Sequence, residues 1–158
     1  MEKLSGCFHV ASLVKTIIVK VEGYATLNNS LFFKDFIDKM LEANYCDFIV
    51  DLSLCKGMDS TFMGILAGIT SLTPKQSLCQ NTITLINVKN VHTKLLNTLG
   101  LLKVVEIKSL AFPDIKTKTL SETRYDPERR IKMIEEAHKS LAARSEEHTS
   151  ELQSPNTI

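Results

Sequence analysis

The chain has 158 residues, of which 44% are hydrophobic and 23% are charged. This length and composition predict one globular domain with its own core, followed by a shorter appendage. The net charge of +1 gives no basis for binding to nucleic acid or to an acidic membrane surface. The sequence contains neither an apolar run near the ~20 residues of a membrane-spanning helix nor the apolar segment of an N-terminal signal peptide. We therefore expect a cytoplasmic protein.

Four cysteines and four histidines are scattered along the sequence. The cysteines form no Cys-x-x-Cys pair, and none has a histidine at the sequence spacing that is typical of metal ligands. We therefore expect reduced thiols, and we predict no bound metal, no cofactor and no catalytic histidine.

The first part of the chain is predicted to form a hairpin and then a helix. Residues 8–10 and 16–21 are rich in β-branched or aromatic side chains and are predicted to be two paired strands. Gly23 is expected to end the second strand in a turn. Asn28 or Asn29 is a candidate N-cap for a helix with apolar residues at positions i, i+3, i+4, i+7 and i+8. These apolar residues are Phe33, Phe36, Ile37, Met40 and Leu41.

A second strand-to-helix unit lies at the centre of the sequence. The apolar run at residues 48–50 predicts a buried strand, and a polar turn follows it. Asp59, Ser60 and Thr61 can each accept a hydrogen bond from the free N–H groups at a helix start. Ser60 is expected to be exposed at the positive end of this helix, where an added phosphate would meet N–H groups and the helix dipole. Pro74 is expected to end the helix.

Two further strands, at residues 82–86 and 104–107, are predicted to flank a helix at about residues 91–99. Gly100 is the expected C′ residue of that helix. Alternating strands and helices indicate an α/β fold with a mixed sheet. Short right-handed crossovers would make its neighbouring strands parallel.

The rest of the chain has a different character, so we place the end of the domain near residue 110. Residues 111–125 are polar and are predicted to be a linker. Asp126 as N-cap and Pro127 at the first helical position predict a C-terminal helix at residues 126–143, which packs on the domain or binds a partner. Residues 144–158 look like the translation of a sequencing-library adapter. We expect them to be an artefact that truncates the natural helix; the alternative is a natural polar tail.

The central turn resembles the phosphorylation-site segment of STAS domains, the anti-sigma factor antagonists. In that family the pattern Met-Asp-Ser-Ser-Gly-Leu-Gly lies between a strand and a helix. Residues 58–60 match it one for one, Thr61 replaces the second serine, and Gly64 matches the last glycine. Phe62 and Met63 stand where the family has glycine and leucine. The resemblance covers roughly residues 8–107 and implies a STAS-like mixed sheet with helices packed mainly on one face.

The resemblance also implies a function. Members of the family bind, when unphosphorylated, an anti-sigma factor that is also a serine kinase, and a sigma factor is thereby released. Phosphorylation breaks this complex, and a PP2C-type phosphatase restores it. Ser60 would be the phosphate acceptor. The expected partner-binding residues are Met58, Asp59, Thr61, Phe62 and Met63.

The sequence also bears on two other classes of function. An enzyme is disfavoured, because the sequence has no Gly-x-Ser-x-Gly elbow and no nucleotide-binding P-loop. The alternative is an accessory STAS domain of a larger signalling, transport or lipid-trafficking assembly. Binding to nucleic acid or to a membrane is not expected.

Overall fold

The computed structural model describes residues 5–71, 82–112, 114–120 and 127–153. These residues form strands and helices in the alternating order that the sequence predicts. In chain order the elements are β1 (Gly6–Leu13), β2 (Thr16–Ala25), α1 (Leu27–Glu42), β3 (Asp47–Met58), α2 (Ser60–Ser71), β4 (Thr82–Ile86), α3 (Asn90–Thr98), a 3-10 turn (Leu101–Lys103), β5 (Glu106–Lys108), β6 (Lys118–Thr119) and α4 (Pro127–Gln153).

The described strands form one six-stranded mixed sheet in the order β5-β4-β3-β2-β1-β6. Strand β1 is antiparallel to both of its neighbours, β2 and β6. The pairs β2–β3, β3–β4 and β4–β5 are parallel. The predicted hairpin and the predicted parallel neighbours are therefore both confirmed.

The core lies between one face of the sheet and the helices. Alternate residues of the strands point into it, as the period of two in a strand requires. At its centre the rings of Phe8, Phe33 and Phe62 are mutually packed, with centroid distances of 4.9 Å, 5.4 Å and 6.0 Å. Leu96 of α3 and Ala137 of α4 belong to the same buried cluster. The predicted α/β fold with helices mainly on one face is confirmed.

The other face of the sheet is partly covered by the segment that joins β5 to β6. These two strands lie at opposite edges, so the segment must cross the sheet. Phe112 lies beneath the ammonium group of Lys20, which is 5.0 Å from the ring centroid. The side-chain amide of Asn87 holds the start of the crossing, because it donates to the carbonyl oxygen of Leu110 at 2.6 Å and accepts from its N–H at 3.2 Å. Ile18, on this face, is 1% exposed.

The sequence pattern predicts a linker at residues 111–125, whereas Lys118 and Thr119 form strand β6 beside β1. Helix α4 begins at Pro127 and continues to Gln153, past the predicted end at residue 143. The structure does not test whether residues 144–158 derive from a sequencing-library adapter, so this origin stays a prediction. Pro74 and Asp126, the predicted helix stop and N-cap, lie outside the described residues.

Two local predictions in the first part of the chain are wrong. Helix α1 is capped by Thr26, whose hydroxyl accepts from the N–H of Asn28, while the side chain of Asn29 accepts from the N–H of Thr26. Asn29 is thus the third helical residue of a capping box, and its amide also donates to the carbonyl oxygen of Tyr24. Strand β2 continues past Gly23, whose φ of 80° accompanies a register shift against β3, as in a β-bulge.

Two further predictions need correction. The last predicted strand is shifted, because a 3-10 turn occupies Leu101–Lys103 and β5 begins at Glu106. Gly100 is confirmed as the C′ residue, with a φ of 76°, and the extra turn after it buries Leu101.

Among the cysteines, Cys7 and Cys55 are free thiols as expected, but Cys46 is disulfide-bonded.

Candidate functional site

The turn between β3 and α2 is built around Asp59. Strand β3 ends at Met58 and helix α2 begins at Ser60, so Asp59 is the N-cap residue. Its Oδ1 accepts from the backbone N–H of Phe62 at 3.0 Å, and its carbonyl oxygen accepts from the N–H of Met63 at 3.2 Å. These are the hydrogen bonds that an N-cap aspartate is expected to make.

The second carboxylate oxygen of Asp59 connects this turn to the start of α1. Asp59 Oδ2 accepts from the backbone N–H of Leu27 at 2.7 Å. The backbone N–H of Asp59 donates to the carbonyl oxygen of Ala25 at 3.1 Å. One side chain therefore satisfies free N–H groups at the beginning of two helices. We expect this arrangement to hold the turn in a fixed geometry.

Ser60 is exposed on the first turn of α2. It directly follows strand β3 and the capping residue Asp59, which is the position that the sequence pattern predicts. Its place at the helix N-terminus puts the hydroxyl near the positive end of the helix dipole. A charged group added there would face solvent and would not have to enter the core.

The other predicted partner-binding residues differ in accessibility. Met58 and Asp59 are half-buried, whereas Thr61, Phe62 and Met63 are only 4%, 0% and 3% exposed. In this structure these last three side chains face the interior, so they offer no surface for direct contact. Phe62, which stands where the STAS pattern has glycine, is accommodated in the aromatic core, because its side chain points from α2 toward the sheet.

Helix α4 covers α2 next to the turn. The hydroxyl of Thr61 lies 3.4 Å from Nε2 of His138. Gly64 is in close contact with the backbone of Ala137, where a Cβ atom would collide with the carbonyl oxygen. An ion pair of 3.0 Å between Arg129 and Asp35 joins α4 to α1. A partner that approaches α2 beyond its first turn would therefore meet α4.

A matched pair of glycine substitutions tests the packing of α4 on α2. In Gly64→Ala the new methyl group meets the backbone of Ala137, whereas in Gly68→Ala it meets the side-chain oxygen of Ser140 at 3.3 Å, which can rotate away. Both changes improve helix propensity by about 1 kcal/mol, but overpacking against backbone costs about 1–3 kcal/mol. We expect Gly64→Ala to be less stable than Gly68→Ala by about 1–3 kcal/mol in urea unfolding. Equal stabilities would contradict the close contact.

A cluster of three side chains that could ligate a metal ion lies on the opposite face of the sheet. Cys7, His9 and Glu22 have ligand atoms within 4.8 Å of one another. A hydrogen bond from His9 lowers the pKa of the Glu22 carboxyl, and burial raises the pKa of the Cys7 thiol. The expectation that no cysteine lies at metal-ligand spacing from a histidine overlooks Cys7 and His9. The Cys-x-His spacing within a strand, which places both side chains on one face, is the signal that could have found this cluster.

No protein-family model and no curated protein sequence matches this chain. Solved structures do match its fold. The anti-sigma factor antagonist SpoIIAA in its unphosphorylated form is 12% identical, with a TM-score of 0.53, 66% of this chain covered and 89% of that one. An anti-sigma factor antagonist from Mycobacterium paratuberculosis is 16% identical, with a TM-score of 0.54 and coverages of 65% and 85%.

A Thermotoga maritima protein assigned to the same class is 19% identical, with a TM-score of 0.53, and 63% of this chain and 84% of that one are covered. The chain therefore has the STAS-like fold of anti-sigma factor antagonists, as the resemblance of its central turn implies. In the described part of the chain, no helix combines the length and the apolar character needed to cross a membrane.

Proposed function

We propose that the chain is a regulatory binding protein of the anti-sigma factor antagonist type, switched by phosphorylation of Ser60. In its unphosphorylated form it binds an anti-sigma factor that is also a serine kinase, and a sigma factor is released. The observation that carries this proposal is the position of Ser60. It is exposed on the first turn of α2, directly after Met58 and Asp59, in a chain with the fold of solved anti-sigma factor antagonists.

The electrostatics of this position support a switch. A phosphoserine carries about −1.5 to −2 charges at neutral pH. At the N-terminus of α2 this charge is compatible with the helix dipole, so the folded domain tolerates it. A partner surface that fits a neutral serine beside the Asp59 carboxylate would instead meet two adjacent negative groups. Repulsion and loss of hydration then weaken the complex.

The partner surface is smaller than the predicted residue set. Met58, Asp59 and Ser60 are at least partly accessible and form its centre. Thr61, Phe62 and Met63 act from inside, because their packing fixes the direction of α2 and thereby the position of Ser60. We propose that the kinase and a PP2C-type phosphatase both approach this exposed turn, in the cytoplasm of a bacterium. The chain itself is not assigned a catalytic activity.

Two substitutions at Ser60 test the switch. Ser60→Asp adds a negative charge at the turn, whereas Ser60→Ala removes the hydroxyl without adding charge. We expect Ser60→Asp to bind the anti-sigma factor kinase of the source genome at least about tenfold more weakly, since one unfavourable charge contact of 1.4 kcal/mol corresponds to tenfold. Ser60→Ala should keep the wild-type affinity in isothermal calorimetry.

The matched control for this experiment is Ser12→Asp. Ser12 is exposed on β1 near the β1–β2 connection, at the end of the sheet opposite to Ser60. The same added charge at Ser12 should leave the affinity unchanged. Equal losses for Ser12→Asp and Ser60→Asp would mean that net charge, and not the turn, governs binding. Equal affinities for Ser60→Asp and Ser60→Ala would contradict the switch.

A further inference from the structure

Three potential metal ligands meet near one edge of the sheet, on the face opposite to the helices. Cys7 Sγ lies 3.4 Å from His9 Nε2 and 3.5 Å from Glu22 Oε2. His9 Nε2 lies 2.8 Å from Glu22 Oε2. The three donor atoms thus form a small triangle of one sulfur, one nitrogen and one oxygen.

Strand pairing brings these side chains together. Cys7 and His9 are two residues apart on β1 and therefore share a face. Phe8, between them, points into the core, so the pair points away from the helices. Glu22 on β2 is the direct cross-strand neighbour of Cys7. Since all three residues belong to paired strands, their backbone positions are fixed before any ligand binds.

A third strand orients the imidazole. His9 Nδ1 lies 2.8 Å from the hydroxyl oxygen of Thr119 on β6. A metal ion would take the place of the proton between His9 Nε2 and Glu22 Oε2, and the imidazole would then donate from Nδ1–H to this hydroxyl. A hydrogen bond on the second ring nitrogen is the usual way in which proteins fix the tautomer of a metal-binding histidine.

We propose that Cys7, His9 and Glu22 bind a zinc ion. In a tetrahedral zinc site, ligand bonds of about 2.0–2.3 Å place the donor atoms about 3.3–3.6 Å apart. The two separations from Cys7 Sγ, 3.4 Å and 3.5 Å, lie in this range, and the 2.8 Å contact between His9 Nε2 and Glu22 Oε2 has to open by about half an ångström. Thiolate, imidazole and carboxylate together favour Zn²⁺ over Mg²⁺ or Ca²⁺, which prefer oxygen ligands alone.

The fourth position of the ion would be open to water. The side chains of His9 and Glu22 are 23% and 53% exposed, and they line a groove that also contains Asp114. An ion at this place links β1 to β2 directly and β6 through Thr119. Zinc would therefore stabilise the pairing of β6 with β1, where the segment that crosses the sheet ends. The reason is that a ligand that binds only the folded state shifts the folding equilibrium.

Cobalt binding tests this proposal directly. Untagged chain, handled without oxygen and without a disulfide reductant so that the disulfide of Cys46 stays intact, is titrated with Co²⁺, which replaces Zn²⁺ and reports its ligands by absorption. We expect one equivalent to bind with a thiolate-to-cobalt charge-transfer band and the intense visible bands of a tetrahedral complex, and Zn²⁺ to displace it. A wild-type chain that gives no such bands at millimolar Co²⁺ would overturn the proposal.

Variants assign the ligands. Cys7→Ser should remove the charge-transfer band, and Glu22→Gln should weaken Zn²⁺ binding by at least about 10–100-fold, which is the loss when only an outer-shell partner of a ligand is removed. The matched control is Cys55→Ser, which changes the other described free thiol, in the core on the helix-covered face. This control should retain the band. A band that survives Cys7→Ser, or that disappears in Cys55→Ser with the fold intact, would refute the assignment.

Discussion

Replacing Phe62 by alanine is expected to lower the free energy of unfolding by about 3–5 kcal/mol, the range for truncating a buried phenylalanine. The ring is 0% exposed and packs against both Phe8 and Phe33, at centroid distances of 6.0 Å and 5.4 Å. Its removal leaves a cavity next to the sheet that the surrounding side chains can fill only in part. Urea denaturation followed by circular dichroism measures the loss.

The control for this substitution is Phe36→Ala. Phe36 lies on α1 and is only partly buried, so its truncation should cost clearly less. The comparison also separates two roles for Phe62. A loss of less than about 1 kcal/mol for Phe62→Ala, together with weaker partner binding, would place the ring at the interface and would contradict its place in the core.

Replacing Asp59 by alanine is expected to lower the free energy of unfolding by about 2–5 kcal/mol. Loss of an N-cap costs about 0.5–2 kcal/mol, and a hydrogen bond to a charged group is worth about 1.5–3 kcal/mol. The substitution removes both, because the carboxylate accepts from the N–H of Phe62 and from the N–H of Leu27. Asp59→Asn keeps one acceptor oxygen and should lose about half as much.

Hydrogen exchange of individual amides tests whether the Asp59 carboxylate holds the N–H groups of Leu27 and Phe62. The amides of Leu27 and Phe62 should exchange faster in Asp59→Ala than in the wild type. The control is Asp38→Ala, which removes a 2.8 Å ion pair with Lys34 on the surface of α1. Such pairs contribute about 0.3–0.5 kcal/mol, so its effect should be small. Unchanged exchange at Leu27 would mean that Asp59 does not connect the two helices.

The sequence predicts the central turn well because its causes are local. An apolar run, a capping aspartate and a helical repeat all lie within a few residues of Ser60. The same sequence cannot show that Asp59 also binds the N–H of Leu27, since the two residues are 32 positions apart and meet only because β2 and β3 are parallel neighbours. The helical repeat alone likewise does not show whether Phe62 faces the sheet or the solvent, because this depends on how α2 packs on the sheet.

Strand β6 and the side-chain cluster at Cys7 were both missed because they depend on how β1 pairs with its neighbouring strands. Lys118 and Thr119 are polar and exposed, and a two-residue strand has no hydrophobic alternation. Its existence depends on the backbone of β1 being free to pair at the sheet edge. The contact of Cys7 with Glu22 depends on the register of the β1–β2 hairpin. A shift of one residue would turn Glu22 to the other face.

The most direct test of the central claim is the site of phosphate transfer. The chain is incubated with ATP and the anti-sigma factor kinase of its source genome, and the modified residue is located by tandem mass spectrometry. We expect one phosphate on Ser60, because Ser60 is exposed whereas the neighbouring Thr61 is 4% exposed, and we expect no phosphate in Ser60→Ala. Phosphate on Thr61 or at a distant site, or its persistence in Ser60→Ala, would contradict the proposed switch.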